Sequence, residues 1–281
     1  MIAAVRTHRR GRDTSGALQA LIGVARECGV TLRFSAEETS KHELEPGPYV
    51  ATDAHDCSDV DLCLVLGGDG TILAALREYI GTGIPVFAVN FGEIGFLATI
   101  DPDGVREGFR RAFEGGYETL ELPAITVGRP DGRWSGLNDI SLHRRPGHRV
   151  AELAYAFAGE EIGRVRCDGL VVATPAGSTG YNLANGGPVL AWGVRGFVVS
   201  FIAPHSFTAR ALVVAPDDVL TIRNVSAEDA VEVHVDGRPA FDLPAHQEIA
   251  VEFGRDLAQL AQLPGASFYH RLRERFGRLA R

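Results

Sequence analysis

Leu64-Val65-Leu66-Gly67-Gly68-Asp69-Gly70-Thr71 takes an apolar strand into three glycines and one carboxylate, after which a helical pattern begins. Glycine has no Cβ, so backbone N–H groups in this loop can close on a polyphosphate. Amides so arranged form an anion-binding concavity. Asp69 runs against that field. A carboxylate repels phosphate, so its jobs reduce to taking a proton or holding a metal ion. A P-loop would need a lysine directly after its last glycine. Here Thr71 follows Gly70, and Lys41 is the only lysine among 28 basic residues. Phosphate chemistry therefore rests on amides, hydroxyls, arginine and a metal. Schiff-base chemistry would fall to Lys41, which reads as part of a polar loop.

Outward from this loop, residues 1–120 alternate strand and helix patterns, as an α/β domain does. Ile2–Val5, Val30–Phe34, Leu62–Leu66 and Ile84–Asn90 read as strands. Asp13, Thr14 and Ser15 offer a cap for a helix carrying Leu18, Leu21, Ile22 and Ala25, and Gly29 supplies its stop. After Thr71 a helix buries Ile72, Leu73, Leu76, Tyr79 and Ile80. Continuous apolar strands between amphipathic helices predict a parallel, Rossmann-like sheet covered on both faces. Ligands in such sheets bind at the carboxyl ends of the strands, where the glycine loop and the turn after Val89 both lie.

The pattern changes near Leu120. Leu120–Val127, Trp134–Leu142, Val150–Phe157, Glu161–Arg166, Leu170–Ala173, Phe197–Ala203, Val219–Val225, Val231–Val235 and Glu248–Phe253 read as strands separated by turns. Residues 121–260 thus form a mostly antiparallel, β-rich domain, a β-sandwich. Residues 261–281 end in an amphipathic basic helix, with Phe268, Leu272, Phe276 and Leu279 on one stripe, expected to pack back on the first domain.

The 281 residues are 45% apolar and 23% charged, typical of a soluble globular chain. No segment approaches the roughly 20 apolar residues of a membrane span. Met1-Ile2-Ala3-Ala4-Val5-Arg6 lacks a basic leader and reads as a buried first strand. A net charge of −8 argues against nucleic acid as a partner. Cys28, Cys57, Cys63 and Cys167 form no CxxC pair, which argues against zinc. Cys28 and Cys63 are expected as core thiols in a reducing, cytoplasmic setting.

A second glycine-rich turn interrupts the β domain. Asp168-Gly169 leads through Val172 and Ala173 to Thr174-Pro175-Ala176-Gly177-Ser178-Thr179-Gly180-Tyr181, then Asn182-Leu183-Ala184-Asn185-Gly186-Gly187-Pro188. Hydroxyls and amides at a helix start bind phosphate or ribose oxygens, and taken alone the same residues read as a capped turn. Beside the Gly67 loop the ligand reading gains, because two polar glycine turns can face one cleft. Asn138-Asp139 interrupts an otherwise apolar strand, and its polar side chains need partners or a ligand's hydroxyls.

Taken in order, these motifs resemble the NAD kinases, which phosphorylate the adenosine ribose 2′-hydroxyl of NAD to give NADP. The resemblance spans Gly67–Thr71, Asn90-Phe91-Gly92-Glu93-Ile94-Gly95-Phe96-Leu97, Asn138-Asp139, Asp168–Tyr181, Gly186-Gly187-Pro188, and Pro204-His205-Ser206 before Leu212-Val213-Val214. The first motif is shared with lipid kinases; the ordered set is far more specific. The resemblance implies that Asp69 is the general base and that Gly67, Gly68, Gly70 and Thr71, with Asn90 and Phe91, cradle nucleotide phosphates. Asn138 and Asp139 would bind NAD around its adenosine half. Asp168 and Arg166 would lie at the NAD site, within one subunit or across a subunit interface, with Thr174, Ala176, Gly177, Ser178, Thr179, Gly180, Tyr181, Asn182, Leu183 and Ala184 lining it. Arg149 and Arg238 are further ligand-lining candidates. Mg²⁺ or another divalent cation would ride on the ATP phosphates, with no direct protein ligand, and the chain would self-associate to a dimer or tetramer.

The chain departs from the family pattern at three positions. A hydroxyl residue is usual where Ala176 stands, alanine where Gly180 stands, and often glutamate where Asp139 stands. These changes keep open a kinase acting on another nucleoside or sugar hydroxyl. A non-catalytic nucleotide sensor is the other alternative, and Asp69 argues against it, since a binder gains nothing from an anion facing phosphate. Asp236-Gly237 reads as a hairpin turn, and His205 as a satisfied buried histidine.

Overall fold

The computed structural model describes residues 1–11, 14–55, 58–92, 95–130, 132–265 and 267–277, the side chains of 275 and 276 excepted. The expected cap at Asp13, Cys57, Glu93-Ile94, Leu279 and the Phe276 side chain lie outside the described residues. The chain forms two compact units, Met1–Glu121 with Ala258–Arg281, and Leu122–Leu257.

In the first unit β1 (Ile2–Thr7), α1 (Ser15–Cys28), β2 (Thr31–Ser35), α2 (Ala36–His42), β3 (Val50–Ala54), β4 (Leu62–Gly67), α3 (Asp69–Glu78), β5 (Pro85–Asn90) and α4 (Val105–Phe113) follow one another. The strands lie side by side as β5-β4-β1-β2-β3, all parallel. All six residues of β4 are buried, as a strand covered on both faces requires. Leu62, Leu64 and Leu66 of β4 share one core with Leu18, Leu21 and Val24 of α1 and Phe109 and Ala112 of α4. Gly29 ends α1 in the left-handed conformation (φ 68°), its N–H returning to the Ala25 carbonyl. Gly67 and Asn90 are register partners, so β4 and β5 end together at the carboxyl edge of the sheet.

Two expectations fail here. Lys41 sits on α2, a polar helix without apolar periodicity, and its ammonium bonds Glu38 and Thr7. The helix is specified instead by Ser35, whose hydroxyl accepts the Glu38 N–H, with acids in the first turn and Lys41 and His42 in the last. Cys28 is exposed at the end of α1, although Cys63 is buried in β4.

The second unit holds β6 (Glu118–Arg129) through most of its length, β7 (Gly132–Gly136), β8 (Asp139–Arg144), β9 (Ala151–Phe157), β10 (Glu160–Cys167) and β11 (Gly169–Ala173). A 3-10 turn (Gly177–Thr179) and α5 (Tyr181–Ala184) precede β12 (Phe197–Ile202), β13 (Leu212–Val214), β14 (Leu220–Asn224), β15 (Val231–Val235), β16 (Arg238–Leu243) and the start of β17 (Glu248–Gln262). One antiparallel sheet runs β13-β12-β11-β8-β15-β16. A second contains β10-β9-β14 and the first residues of β17. Ile140, Leu142, Leu170 and Val172 of the first pack with Leu153, Val165, Leu220, Ile222 and Val251 of the second in one core. Val171 and Ala173, on the other face of β11, pack with Leu190 and Val198.

The expected strand Trp134–Leu142 is two strands, β7 and β8. Leu137, Asn138 and Asp139 give their N–H groups to the Asp236 carboxylate instead of continuing a ladder. His205 is exposed, in the loop between β12 and β13, rather than buried.

Gln259 and Leu260, late in β17, pair parallel with Pro85 and Val86 of β5 in the first unit. α6 (Phe268–Gly277) follows in that unit, with Phe268 buried and Leu272 half-buried. Among the described residues no helix is long and apolar enough to cross a membrane.

Candidate functional site

In the first unit the glycine loop joins β4 to α3. Gly67 is the last residue of β4, Gly68 is extended, and Asp69 opens the helix. The first amides of a helix lack intrahelical partners and carry the positive end of its dipole. A Cβ on Gly67 would lie 2.7 Å from the Thr71 hydroxyl oxygen, so the turn closes only around glycine. The adjoining segment packs against it backbone to backbone. The Phe91 N–H donates to the Gly67 carbonyl at 3.1 Å, and a Cβ on Gly92 would lie 3.0 Å from the Gly68 Cα. The Asn90 side-chain oxygen accepts the Gly92 N–H at 3.1 Å, and its amide donates to Asp101 at 3.4 Å.

Asp69 is held by both oxygens. The Phe96 N–H donates to Oδ2 at 2.8 Å and the Leu97 N–H to Oδ1 at 3.1 Å. Hydrogen bonds to a charged group contribute about 1.5–3 kcal/mol each. Any Cβ at Gly95 would overlap the Asp69 carboxyl, so glycine is required where that segment passes the acid. A cavity of about 260 Å³ adjoins, lined by Asn90, Gly95, Thr99, Asp101, His270 and Arg271, among others.

In the second unit Asn138, Asp139, Thr174 and Gly177 are joined to Asp236 by hydrogen bonds. This residue (φ 47°) and Gly237 (φ 71°) turn the β15–β16 hairpin in the left-handed region, as a type I′ turn requires. Its carboxylate accepts three successive N–H groups, from Leu137 (3.1 Å), Asn138 (2.7 Å) and Asp139 (3.1 Å). The Asn138 carbonyl accepts the Thr174 N–H at 2.9 Å, and the Thr174 hydroxyl donates to the Leu137 carbonyl. That hydroxyl also accepts the Gly177 N–H at 3.0 Å. A Cβ at Gly177 would overlap the Asn138 carbonyl. The turn is thereby pinned to Asn138-Asp139.

Burial, and then the charge of Asp236, push the Asp139 carboxyl up to about 7. Near neutrality it can therefore donate or accept a hydrogen bond. Burial raises the Tyr181 phenol, helped by Asp139 and Asp168, so both acids lie within its electrostatic reach. The Tyr181 ring stacks on His143 (5.7 Å, 20°), which tilts on His234 (4.8 Å). Burial lowers His143, and His234 lowers it further. Asp168 is half-buried and ion-paired to Arg144 at 2.5 Å.

Other candidates are differently placed. Ser178 and Asn182 are buried and occupied internally: the Ser178 hydroxyl accepts the Leu190 N–H, and the Asn182 amide donates to the Ser178 and Pro188 carbonyls. Ala176 is buried, Thr179 and Leu183 half-buried, and Gly180 and Ala184 exposed. Arg149, Arg166 and Arg238 are exposed. The Arg166 carbonyl accepts the His205 N–H at 2.7 Å, which ties the Pro204–Ser206 motif to β10. Sequence reading missed the side-chain role of Asp236, the Arg144 partner of Asp168, and His143 and His234. Of these only Asp236 had a signal, its place before a glycine in a hairpin turn. Among the described residues no three His, Cys, Asp or Glu side chains gather as a metal-ligand group.

Comparison with known proteins fits this arrangement. Residues 22–117 match a family model described as the ATP-NAD kinase N-terminal domain, and residues 137–263 one described as the ATP-NAD kinase C-terminal domain. The chain is similar to the NAD kinase of Gemmatimonas aurantiaca, with 32% identity over 276 residues, 96% of this chain and 93% of that protein. Its fold is similar to that of yeast NADH kinase complexed with NADH (TM-score 0.87, 23% identity, 99% of this chain and 87% of that one). It is also similar to an NAD kinase from Archaeoglobus fulgidus in complex with ATP (TM-score 0.76, 26% identity, 99% of this chain and 98% of that one). With both halves matched by these domain models and a relative aligned over nearly its full length, the chain belongs to the NAD kinase family.

Proposed function

We propose that the protein transfers the γ-phosphoryl group of ATP to the 2′-hydroxyl of the adenosine ribose of NAD, giving NADP. The observation that carries the reading is Asp69, a carboxylate inside a glycine loop, held by two main-chain N–H groups where β4 and β5 end. Asp69 accepts the proton of the attacking hydroxyl. A loose transition state asks little base strength, so positioning outweighs basicity. Gly67, Gly68, Gly70 and Thr71, with Asn90 and Phe91, present amides and polar atoms to phosphate oxygens. Asn138 and Asp139 take NAD around its adenosine half, with Thr174 and residues 176–184 lining the same site. The Tyr181 ring is positioned by His143, and Asp168 by Arg144.

The side-chain donors of the loop, Asp69 and Thr71, are oxygens, which suit a hard cation. Mg²⁺ carried on the ATP phosphates would neutralise charge on the transferring group, with Asp69 and Thr71 able to hold its water shell. A cytoplasmic setting and self-association to a dimer or tetramer complete the reading. Support for an interface comes from β13, an edge strand with Leu212 and Val213 exposed, and from the fully exposed Phe207.

The test is incubation of the pure protein with ATP, Mg²⁺ and NAD, following NADP. Asp69→Asn should keep nucleotide binding and lose turnover by about 10²-fold or more. Near-parental turnover in that variant would overturn the base assignment. Failure to form NADP while another nucleoside is phosphorylated would overturn the acceptor.

A further inference from the structure

The bond that holds Asp69 Oδ1 belongs to a peptide unit with a second partner. The Leu97 N–H and the Phe96 C=O are two ends of one amide. The N–H donates to Asp69 at 3.1 Å, and the C=O accepts from Nη1 of Arg271 at 2.7 Å. Arg271 lies on α6, 175 residues from Phe96 in sequence. Its other terminal nitrogen, Nη2, donates to the side-chain oxygen of Gln262, at the end of β17. Gln262 is 7% exposed, and among the described residues its own amide nitrogen has no hydrogen-bond partner. α6 grips Phe96 a second time, because the Phe96 ring stacks on Phe268 at 6.2 Å. Burial lowers the Arg271 guanidinium, while Asp69, Asp101 and Glu274 push it back up.

We propose that Arg271 is a positioning residue for the phosphoryl-transfer base: through the Phe96–Leu97 peptide it holds and polarises the N–H that fixes Asp69. The inference rests on the reading of Asp69 given above. A cation at the carbonyl end of an amide draws electron density from the nitrogen and strengthens its N–H as a donor, and hydrogen bonds in a chain reinforce one another. A charge-assisted bond also fixes the peptide plane more firmly than a neutral one. Two donors, on Phe96 and Leu97, then keep the carboxylate in one rotamer, and small misplacements of a catalytic group are costly. Arg271 therefore acts on the chemistry through the Phe96–Leu97 peptide.

The test compares full-length Arg271→Ala and Arg271→Lys with the parent. Arg271→Ala should lower kcat about tenfold while KM for ATP and for NAD stays within about threefold. The Leu97 amide proton should move upfield, because the bond it donates to Asp69 weakens, and its hydrogen exchange should accelerate. Arg271→Lys, which keeps one charged donor, should recover part of kcat and of the amide shift. Added guanidinium should raise the rate of Arg271→Ala. A kcat within about twofold of the parent in Arg271→Ala overturns the proposal, as does an unmoved Leu97 amide. Should Arg271→Ala fail to fold, Arg271→Lys decides: a Leu97 shift intermediate between folded parent and random coil supports the relay, and a parental shift with parental kcat overturns it. If the parent forms no NADP, the proposed function fails, and the Leu97 amide alone decides whether the relay exists.

Discussion

The Asp139 N–H donates to the Asp236 carboxylate while the Asp236 N–H donates to the Asp139 carbonyl at 2.8 Å. Two acids 97 residues apart are thus locked together by one bond to a side chain and one between backbones, and the buried one has its carboxyl pushed up to about 7. The arrangement joins the β15–β16 hairpin to the break between β7 and β8, beside Asn138 and Asp139.

This pair sets a pH dependence. Asp139 is held above its unfolded value, so the folded state binds the proton more tightly between about pH 4 and 7. The stability contributed by the neutral form is complete below that window and is lost as pH rises through it. The loss amounts to a few kcal/mol at most, since a tenfold change in proton affinity is worth about 1.4 kcal/mol. Asp139→Asn should flatten the fall in stability between about pH 4 and 7. Denaturant titrations at several pH values measure it, and parallel slopes for parent and variant would contradict the assignment.

Gly177→Ala should destabilise the second unit by about 2–4 kcal/mol. The added Cβ overlaps the Asn138 carbonyl, a backbone atom that cannot rotate away. The bond from the Gly177 N–H to Thr174 would open, and with it the link between the turn and Asn138. Thermal unfolding reads the loss; a Tm equal to the parent's would mean that the segments separate without strain.

The only lysine has a structural task. Lys41 Nζ donates to Glu38 at 2.8 Å, and Glu38, 3% exposed, also accepts the Thr7 N–H and hydroxyl. Lys41→Met should cost about 3 kcal/mol, because a buried carboxylate is left without its cation. Lys41→Met with Glu38→Gln should recover part of that loss. Equal stability of the single variant and the parent in urea would refute this pairing.

Local patterning was sufficient for much of the architecture. The uninterrupted apolar runs of β4 and β5 announced a parallel sheet, Gly29 marked the end of α1, and Val231–Val235 stands as β15 with the bounds its alternation predicts. The glycine loop was legible too, because backbone conformation and close approach are properties of the glycines themselves. The polar helix α2 was not, since it carries no apolar period and depends on a serine cap and end charges. What holds the site lay beyond reach for another reason. The Phe96–Leu97 grip on Asp69, Arg271 behind it, and Asp236 across the break at Asn138 are hydrogen bonds over 27 to 175 residues. Such partners leave no periodicity in the chain. They exist only once packing has brought distant donors and acceptors within about 3 Å of one another.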